Sequence, residues 1–347
     1  MATVTFGYVN AFGVYQDIYT RSQAATASNV SWIGSTQLFF LFAMGLPAGK
    51  LLDMGYLRQT NLVGSLICLF VSQCLLFMVS LAHTDTYYQV YLSQGVGLGV
   101  GAGLLYVPAV AVQAHHWKRR RAFAMGVVVT GSSLGGIIFP IMLNRLFQSS
   151  VGFEWGVRAS AFVVLGLLIM ANLLMSDNPS VKGGGEKPVL KNILTDIPFM
   201  LSSFGVFVIT WGIFFPYFYV QLFAVLHGVD PSIAFYSLAI MNAAGLPGRV
   251  LPGILADRFG PFNIIVPVLL VNAALIFALF GVSAEGGIVA FVVFYGAIRF
   301  GVGYFMSAFG TLIGAPIDGA LLGKSFLWSK PIIFSGASIF QNYEGFR

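Results

Sequence analysis

The composition of this 347-residue sequence is that of a membrane protein, because 57% of its residues are hydrophobic and only 9% are charged. Soluble domains carry about 25% charged residues, so a soluble globular fold is excluded. A membrane-spanning helix needs about 20 mostly apolar residues, which leaves room for about ten to twelve spans with short loops and none for a large catalytic domain. The net charge of +6 does not indicate nucleic-acid binding.

Apolar runs bounded by Pro, Gly or charged residues predict twelve spans in two groups of six. Between the groups, the polar stretch 176–196 contains a Gly triplet, two prolines and three lysines. The predicted organisation is a six-helix bundle over 1–176, a connector over 177–196 and a second bundle over 197–347 that is incomplete. The spans are predicted near 4–20, 31–49, 61–82, 88–113, 122–147, 157–176, 197–226, 232–253, 262–283, 286–299, 301–323 and 326–341.

The basic residues predict the orientation of the chain, because Lys and Arg near span ends favour the cytoplasmic side. One set of alternate loops carries ten of them and the opposite set carries five. The connector is therefore predicted to lie in the cytoplasm.

A short loop sequence occurs twice, as GKLLDMG at 49–55 and as GILADRFG at 253–260, each between the second and third spans of its half. Gly allows two helices to approach closely, Asp can accept hydrogen bonds from a neighbouring helix N-terminus, and Arg can bind an acidic group. Duplication at matching positions is typical of transporters built from repeats. The predicted gating residues are Gly49, Asp53, Gly253, Asp257, Arg258 and Gly260.

These loops resemble the G-x-L-x-D-R-x-G signature of the major facilitator superfamily; the second copy fits fully, whereas the first lacks the Arg and is one residue shorter. The stretches 6–16, 87–136, 245–260 and 302–323 are similar to monocarboxylate-transporter-like members, particularly fungal ones. The resemblance implies an all-α membrane fold of two six-helix bundles related by a pseudo-twofold axis. It also implies transport by alternating access.

The sequence departs from that family in length. Its first span begins late, and the run 286–323 holds only 38 residues for two helices and a turn. Two full spans need about 40 residues, so the tenth helix is expected to be short. The chain stops at Arg347, within the expected last span, which predicts a truncated gene product.

Arg249 is the strongest candidate for binding a substrate. It precedes Asp257 by eight residues, which places it about 12 Å inside the membrane on a helix. A charge at that depth is costly unless it faces a cavity or a partner, and a guanidinium can bind a carboxylate through two hydrogen bonds. The alternative is an arginine paired within the bundle. Monocarboxylate carriers have an Arg here and an Asp one turn earlier, but that position is Gly245, so the resemblance gives no proton-coupling carboxylate.

Three further residues are candidates for the substrate path. Asn10 and Asn242 are amides inside apolar spans and could orient a substrate, although amides in membranes often join helices instead. Tyr295 could line the path, although most aromatic residues of this chain are expected to pack in the core or at the membrane interface. Asp318 lies in a run whose Gly-Ala-Pro-Ile-Asp-Gly sequence predicts a broken helix.

Other motifs do not support catalysis or cofactor binding. The run Gly95 to Gly103 has a nominal dinucleotide-binding pattern, but no strand precedes it, so close helix packing is the better interpretation. Cys68 and Cys74 are the only cysteines, and His115-His116 is an incomplete ligand set. No enzyme, metal site or cofactor is predicted.

The sequence therefore predicts a secondary transporter of a small organic anion, most simply a monocarboxylate, with possible proton coupling. The alternatives are a carrier of a neutral or vitamin-like solute, a non-transporting membrane sensor, or an inactive truncated product. Its expected partners are a small-molecule substrate and the lipid bilayer, without nucleic acid. The plasma membrane is the expected location, with the vacuolar membrane as the alternative, and the oligomeric state is left open.

Overall fold

The computed structural model describes residues 1–21, 26–66, 87–117, 121–175, 197–282, 284–298, 304–323 and 326–340. All regular secondary structure in these ranges is helical. Within the described residues, the first half contributes nine α-helices and one π-helical segment, Tyr91–Gly97. The α-helices are α1 Phe6–Val9, α2 Phe12–Arg21, α3 Ala27–Ala43, α4 Gly45–Asp53, α5 Leu57–Leu66, α6 Tyr87–Val90, α7 Leu98–His116, α8 Arg121–Gln148 and α9 Gly152–Leu174.

The second half contributes seven α-helices to the described residues, and a 3₁₀ turn, Leu279–Gly281, extends the fourth of them. They are α10 Ile197–Ile213, α11 Phe215–Leu226, α12 Pro231–Phe259, α13 Pro261–Ala278, α14 Glu285–Ile298, α15 Tyr304–Leu322 and α16 Ser329–Phe340. The predicted connector and the second half of the third predicted span lie outside the described residues.

Seven segments of the described chain are long and apolar enough to cross a membrane. The helices α14 and α15 are apolar but shorter over their described lengths, and α14 has 14 described residues. Because residues 299–303 lie outside the described ranges, the expectation of a short tenth helix stays a prediction. The seven segments are Ser28–Leu52, Tyr87–Gln113, Phe123–Gln148, Gly152–Leu174, Ser203–Leu226, Pro231–Phe259 and Asn263–Gly281.

The first and seventh spans are each interrupted near their centres. The first breaks between α1 and α2, where Asn10 caps α1. The seventh breaks at Phe214, and Pro216 lies in the first turn of the next helix, where proline is favoured because it has no N–H to donate and its fixed φ suits a helix start. Interrupted helices are typical of substrate sites in transporters. The break predicted in the eleventh span is wrong, since α15 continues through Pro316.

Glycines bring helix backbones together, as predicted for the run near residue 100. A Cβ on Gly99 would lie 2.8 Å from the carbonyl oxygen of Gln37, and one on Gly103 would lie 2.5 Å from that of Phe40. Both carbonyls belong to α3, so glycine allows α7 to pack directly on that backbone.

The two halves meet mainly along two helix pairs, α8 with α12 and α3 with α15. The second half of the first span, α2, also packs on the seventh, since a Cβ on Gly13 would lie 2.7 Å from the carbonyl oxygen of Tyr217. These contacts bring the interrupted centre of the first span close to α8 and α12.

Candidate translocation site between the two halves

The interruption of the first span places Asn10 against α12. Its Nδ2 lies 3.3 Å from Asn242 Oδ1 and 3.5 Å from the carbonyl oxygen of Ser132. Asn242 is fully buried and donates from Nδ2 to the carbonyl oxygen of Leu238. The two amides that the sequence singled out are therefore in contact, although they lie 232 positions apart.

A glycine makes room for this amide contact. A Cβ on Gly136 of α8 would lie 2.4 Å from Cγ of Asn242. The first span, α8 and α12 therefore converge on one buried polar cluster. Ser132 of the Gly-Ser-Ser run at 131–133 belongs to the same cluster through its carbonyl oxygen.

Arg249 lies on α12 two turns beyond Asn242 and is partly buried. Its Nη1 donates to the carbonyl oxygen of Val129, at 2.7 Å, and to the hydroxyl of Ser132. Both acceptors are on α8, in the other half of the chain. These two contacts of the guanidinium join the two halves, and its role in binding a substrate remains a prediction.

Tyr295 is fully buried on α14. Its hydroxyl donates to the carbonyl oxygen of Ile213, at 2.7 Å, which is one of the backbone groups at the interruption of the seventh span. Its ring stacks on Phe291, with centroids 5.4 Å apart. In this conformation, Tyr295 supports the broken seventh span.

Four aromatic side chains form a second cluster, around Phe6, which lies one helical turn before Asn10. The ring of Phe6 lies 5.3 Å from Tyr106, 6.0 Å from Phe42 and 6.5 Å from Phe214, measured between centroids. Phe214 is at the interruption of the seventh span, so this cluster also includes both halves. Aromatic residues make up 15% of the chain, and no local pattern in the sequence separates Phe6, Phe42 and Phe214 from the rest.

At the opposite end of the bundle from the duplicated loops, polar side chains also join the halves. Gln221 Nε2 lies 3.4 Å from Asp17 Oδ2, linking the first and seventh spans. Arg145 Nη2 donates to the hydroxyl of Tyr236, at 2.7 Å, linking α8 and α12.

The second copy of the duplicated loop makes the contact that its sequence predicted for the aspartate. Asp257 Oδ2 accepts the backbone N–H of Phe123, in the first turn of α8, at 3.2 Å. Unpaired N–H groups at a helix N-terminus favour a negative charge. Arg258 is exposed, with its Cζ 5.4 Å from the ring centre of the adjacent Phe259.

Glycine terminates both copies of the duplicated loop with a positive φ. The value is 83° at Gly55 and 89° at Gly260, a conformation that costs residues with a Cβ far more than glycine. Gly49 has open space where a side chain would point. Gly253 lies within α12 and Asp53 ends α4, but their side-chain surroundings lie outside what the structure describes.

The described residues contain no group of three or more His, Cys, Asp or Glu that could hold a metal ion. The polar groups that the structure describes at this candidate site are amides, hydroxyls and a guanidinium, beside aromatic rings.

The family model of the Major Facilitator Superfamily matches residues 1–340. The chain belongs to this superfamily. It is a multi-pass membrane protein and a secondary transporter of a small molecule, not an enzyme. Its fold matches two solved transporters along their lengths. The match to the E. coli fucose:proton symporter FucP has a TM-score of 0.63 and 15% sequence identity, and it covers 100% of this chain and 96% of FucP. The match to the nucleoside transporter NupG has a TM-score of 0.69 and 14% identity, and it covers 99% of this chain and 97% of NupG.

Relatives of higher identity are fungal. The chain is 35% identical to the aspyridones efflux protein of Emericella nidulans, over 96% of this chain and 72% of the relative. It is 37% identical to MFS-type transporter 1 of an Ophiocordyceps species, over 99% of this chain and 77% of the relative. It is 36% identical to the agnestins efflux protein of Paecilomyces divaricatus, over 92% of this chain and 78% of the relative. The narrower resemblance to monocarboxylate carriers remains a prediction.

Proposed function

We propose that this transporter exports a small organic molecule that carries a carboxylate or another acidic oxygen. The observation that carries the proposal is the partly buried Arg249, whose guanidinium donates to the Val129 carbonyl and the Ser132 hydroxyl at the junction of the two halves. Two fungal relatives named as efflux proteins support the outward direction. Export from the cell requires the plasma membrane, which is the location we propose.

The chemistry of Arg249 favours an anionic substrate. A hydrogen bond from a guanidinium to a carboxylate is stronger than one to a neutral acceptor, and two such bonds form in parallel. A substrate carboxylate could therefore replace the Val129 carbonyl and the Ser132 hydroxyl as acceptors. The contact between α8 and α12 would then be exchanged for contacts with the substrate.

The amides and rings supply the remaining interactions. Asn10 and Asn242 can each donate and accept, so they can orient oxygen atoms of the bound molecule. The cluster of Phe6, Phe42, Tyr106 and Phe214 offers ring faces to the apolar part of a substrate. Alternating access requires these contacts between halves to open on one side at a time, with the Asp257 contact closing the cytoplasmic side.

Uptake into inside-out plasma-membrane vesicles from a yeast host tests the proposal, because export from a cell becomes uptake into such vesicles. The probe is labelled phenylpyruvate, which carries a carboxylate and an aromatic ring, and its amide serves as the neutral comparison. We expect faster uptake of phenylpyruvate, and not of the amide, in vesicles that contain the protein. Arg249→Gln should lower this uptake about tenfold, as expected for loss of a charge-assisted hydrogen bond.

Arg158→Gln is the matched control, since Arg158 pairs with Glu154 at the first turns of α9, away from the junction. Its uptake should equal that of the unchanged protein. Equal uptake by Arg249→Gln would exclude Arg249 from the substrate site. Faster uptake of the amide alone would instead support a carrier of neutral solutes.

A further inference from the structure

Asp318 is a buried acid that the proposed substrate site does not use. The described residues include six acidic side chains, of which Asp17 and Asp318 are buried, with 7% and 0% of their surfaces exposed. Asp17 lies at the contact between the first and seventh spans. Asp318 lies within the second half, on α15, one turn before the helix ends.

The carboxyl group of Asp318 has little hydrogen-bonding support. Ser335 of α16 donates its hydroxyl to Oδ1 at 2.8 Å. The other oxygen, Oδ2, is buried and has no hydrogen-bond partner among the described residues. Within the same ranges, the carboxyl group takes part in no ion pair.

Among the described residues, the helices packed around α15 place one titratable side chain at the same depth as Asp318. It is Tyr219 of α11, whose hydroxyl donates to the carbonyl oxygen of Ala315 at 3.3 Å. Neither α3 nor α10 contains an Asp, Glu, Lys, Arg, His or Tyr residue. Lys330 of α16 is exposed in its first turn, and α4 carries Lys50 and Asp53 near the opposite membrane face.

An ionised carboxylate is costly in such a place. Removing it from water without a cation costs much more than one hydroxyl hydrogen bond returns, so a buried acid of this kind takes up a proton. A neutral carboxyl group satisfies Ser335 equally well, because Oδ1 still accepts. Asp318 is therefore neutral while α15 is packed as observed.

The neighbouring residues connect Asp318 to the junction between the halves. Ser28 of α3 donates its hydroxyl to the carbonyl oxygen of Pro316, at 3.0 Å. A Cβ on Gly319 would lie 2.8 Å from Cα of Ser28 and 2.6 Å from the hydroxyl of Tyr219. The residues on both sides of Asp318 along the chain thus belong to the contact of α15 with α3, at the membrane face predicted to be outer.

We infer that Asp318 is a proton-binding site whose protonation is required for α15 to close against α3 and α16. When the outer side is open, water reaches the carboxylate. Closure buries the group, which takes one proton from the outer solution and becomes a carboxylic acid. This inference rests on the proposed transport function, because it makes an external proton part of the transport cycle.

Infrared spectroscopy of the full chain in lipid bilayers tests the protonation state without a substrate. At neutral pH, the spectrum should contain a protonated-carboxyl band that is absent from Asp318→Asn and present in Asp230→Asn, a control that changes an exposed acid. Ser335→Ala should move the band to higher frequency, because the carboxyl oxygen loses its hydrogen bond. The inference would be overturned if Asp318→Asn left the protonated-carboxyl band unchanged. It would also be overturned if this variant lost a carboxylate band and not the protonated-carboxyl band.

Transport in the vesicles described above tests the coupling. A pH gradient, acidic on the side that is outer in the cell, should drive phenylpyruvate uptake by the unchanged protein and by Asp230→Asn. Asp318→Asn should lower this gradient-driven component about tenfold, and its residual uptake should not depend on the gradient. Gradient-driven uptake equal to that of the unchanged protein would overturn the inference. Failure of the unchanged protein to move phenylpyruvate contradicts the proposed function, and the infrared result alone then decides the state of Asp318.

Discussion

The two helix pairs that join the halves use different chemistry. Between α8 and α12, polar side chains cross the junction, including the guanidinium of Arg249 and the hydroxyl of Ser132. Between α3 and α15, small residues bring backbones together, as Gly319 shows beside Ser28. The first junction therefore includes charge-assisted hydrogen bonds, for which an anionic substrate would compete under the proposed function. The second depends on close packing of the two helix backbones, which contacts with a bound substrate cannot replace.

The largest expected effect comes from adding one methyl group to each junction. Gly319→Ala would place a Cβ within 2.9 Å of two backbone atoms of Ser28. Gly136→Ala would meet the side chain of Asn242, which can adjust more easily than a backbone. We expect Gly319→Ala to lower the free energy of unfolding by about 2 kcal/mol, and Gly136→Ala by less. Thermal unfolding in one detergent measures both.

Gly166→Ala on α9 is the control for that pair, because nothing lies within 4 Å of its Cβ position. Alanine favours helix more than glycine does, so this variant should be as stable as the unchanged protein or slightly more stable. If Gly166→Ala loses as much stability as Gly319→Ala, the difference between the junctions does not come from close packing.

The same substitution at a serine in each junction should have unequal effects. Ser132→Ala removes an acceptor of the charged Arg249 and should cost about 2 kcal/mol. Ser28→Ala removes a hydrogen bond between neutral groups, which in membrane proteins averages about 0.6 kcal/mol. Unfolding of both variants in the same detergent gives the comparison. Equal losses would mean that the charge of Arg249 adds nothing to the α8–α12 junction.

The smallest expected effect is a response to acid that only one junction shows. Asp230 caps α12, and hydrogen bonds from the backbone and side chain of Ser232 lower the pKa of its carboxyl group. A lowered pKa stabilises the fold above the ordinary value of 3.8, and this contribution is lost as the pH falls through the folded-state pKa. The cap of α3 is Thr26, which does not titrate in this range.

Unfolding midpoints of the unchanged protein and of Asp230→Asn, measured at about pH 6 and about pH 3, test this response. Asparagine caps a helix at any pH, so the variant should lose less stability on acidification. An equal loss in both proteins would show that the cap of α12 does not contribute to acid sensitivity.

Much of the fold follows from local sequence properties. Apolar runs of about 20 residues predict where spans lie, since the bilayer leaves helices as the simplest way to satisfy every backbone hydrogen bond. The loop at 253–260 predicted a carboxylate at a helix N-terminus, and Asp257 occupies that place. The glycines near residue 100 predicted close packing. Each of these depends on neighbours in sequence or on the membrane itself.

The candidate site depends instead on residues far apart in the chain. Sequence alone predicted that Arg249, Asn10 and Asn242 lie inside spans, because polar groups interrupt apolar runs there. Only the tertiary structure decided that the two amides touch, that Arg249 donates to α8, and that Asp318 accepts from the hydroxyl of Ser335. Hydropathy reports the cost of placing a group in the membrane, whereas the choice of partner depends on how helices separated by more than a hundred residues pack.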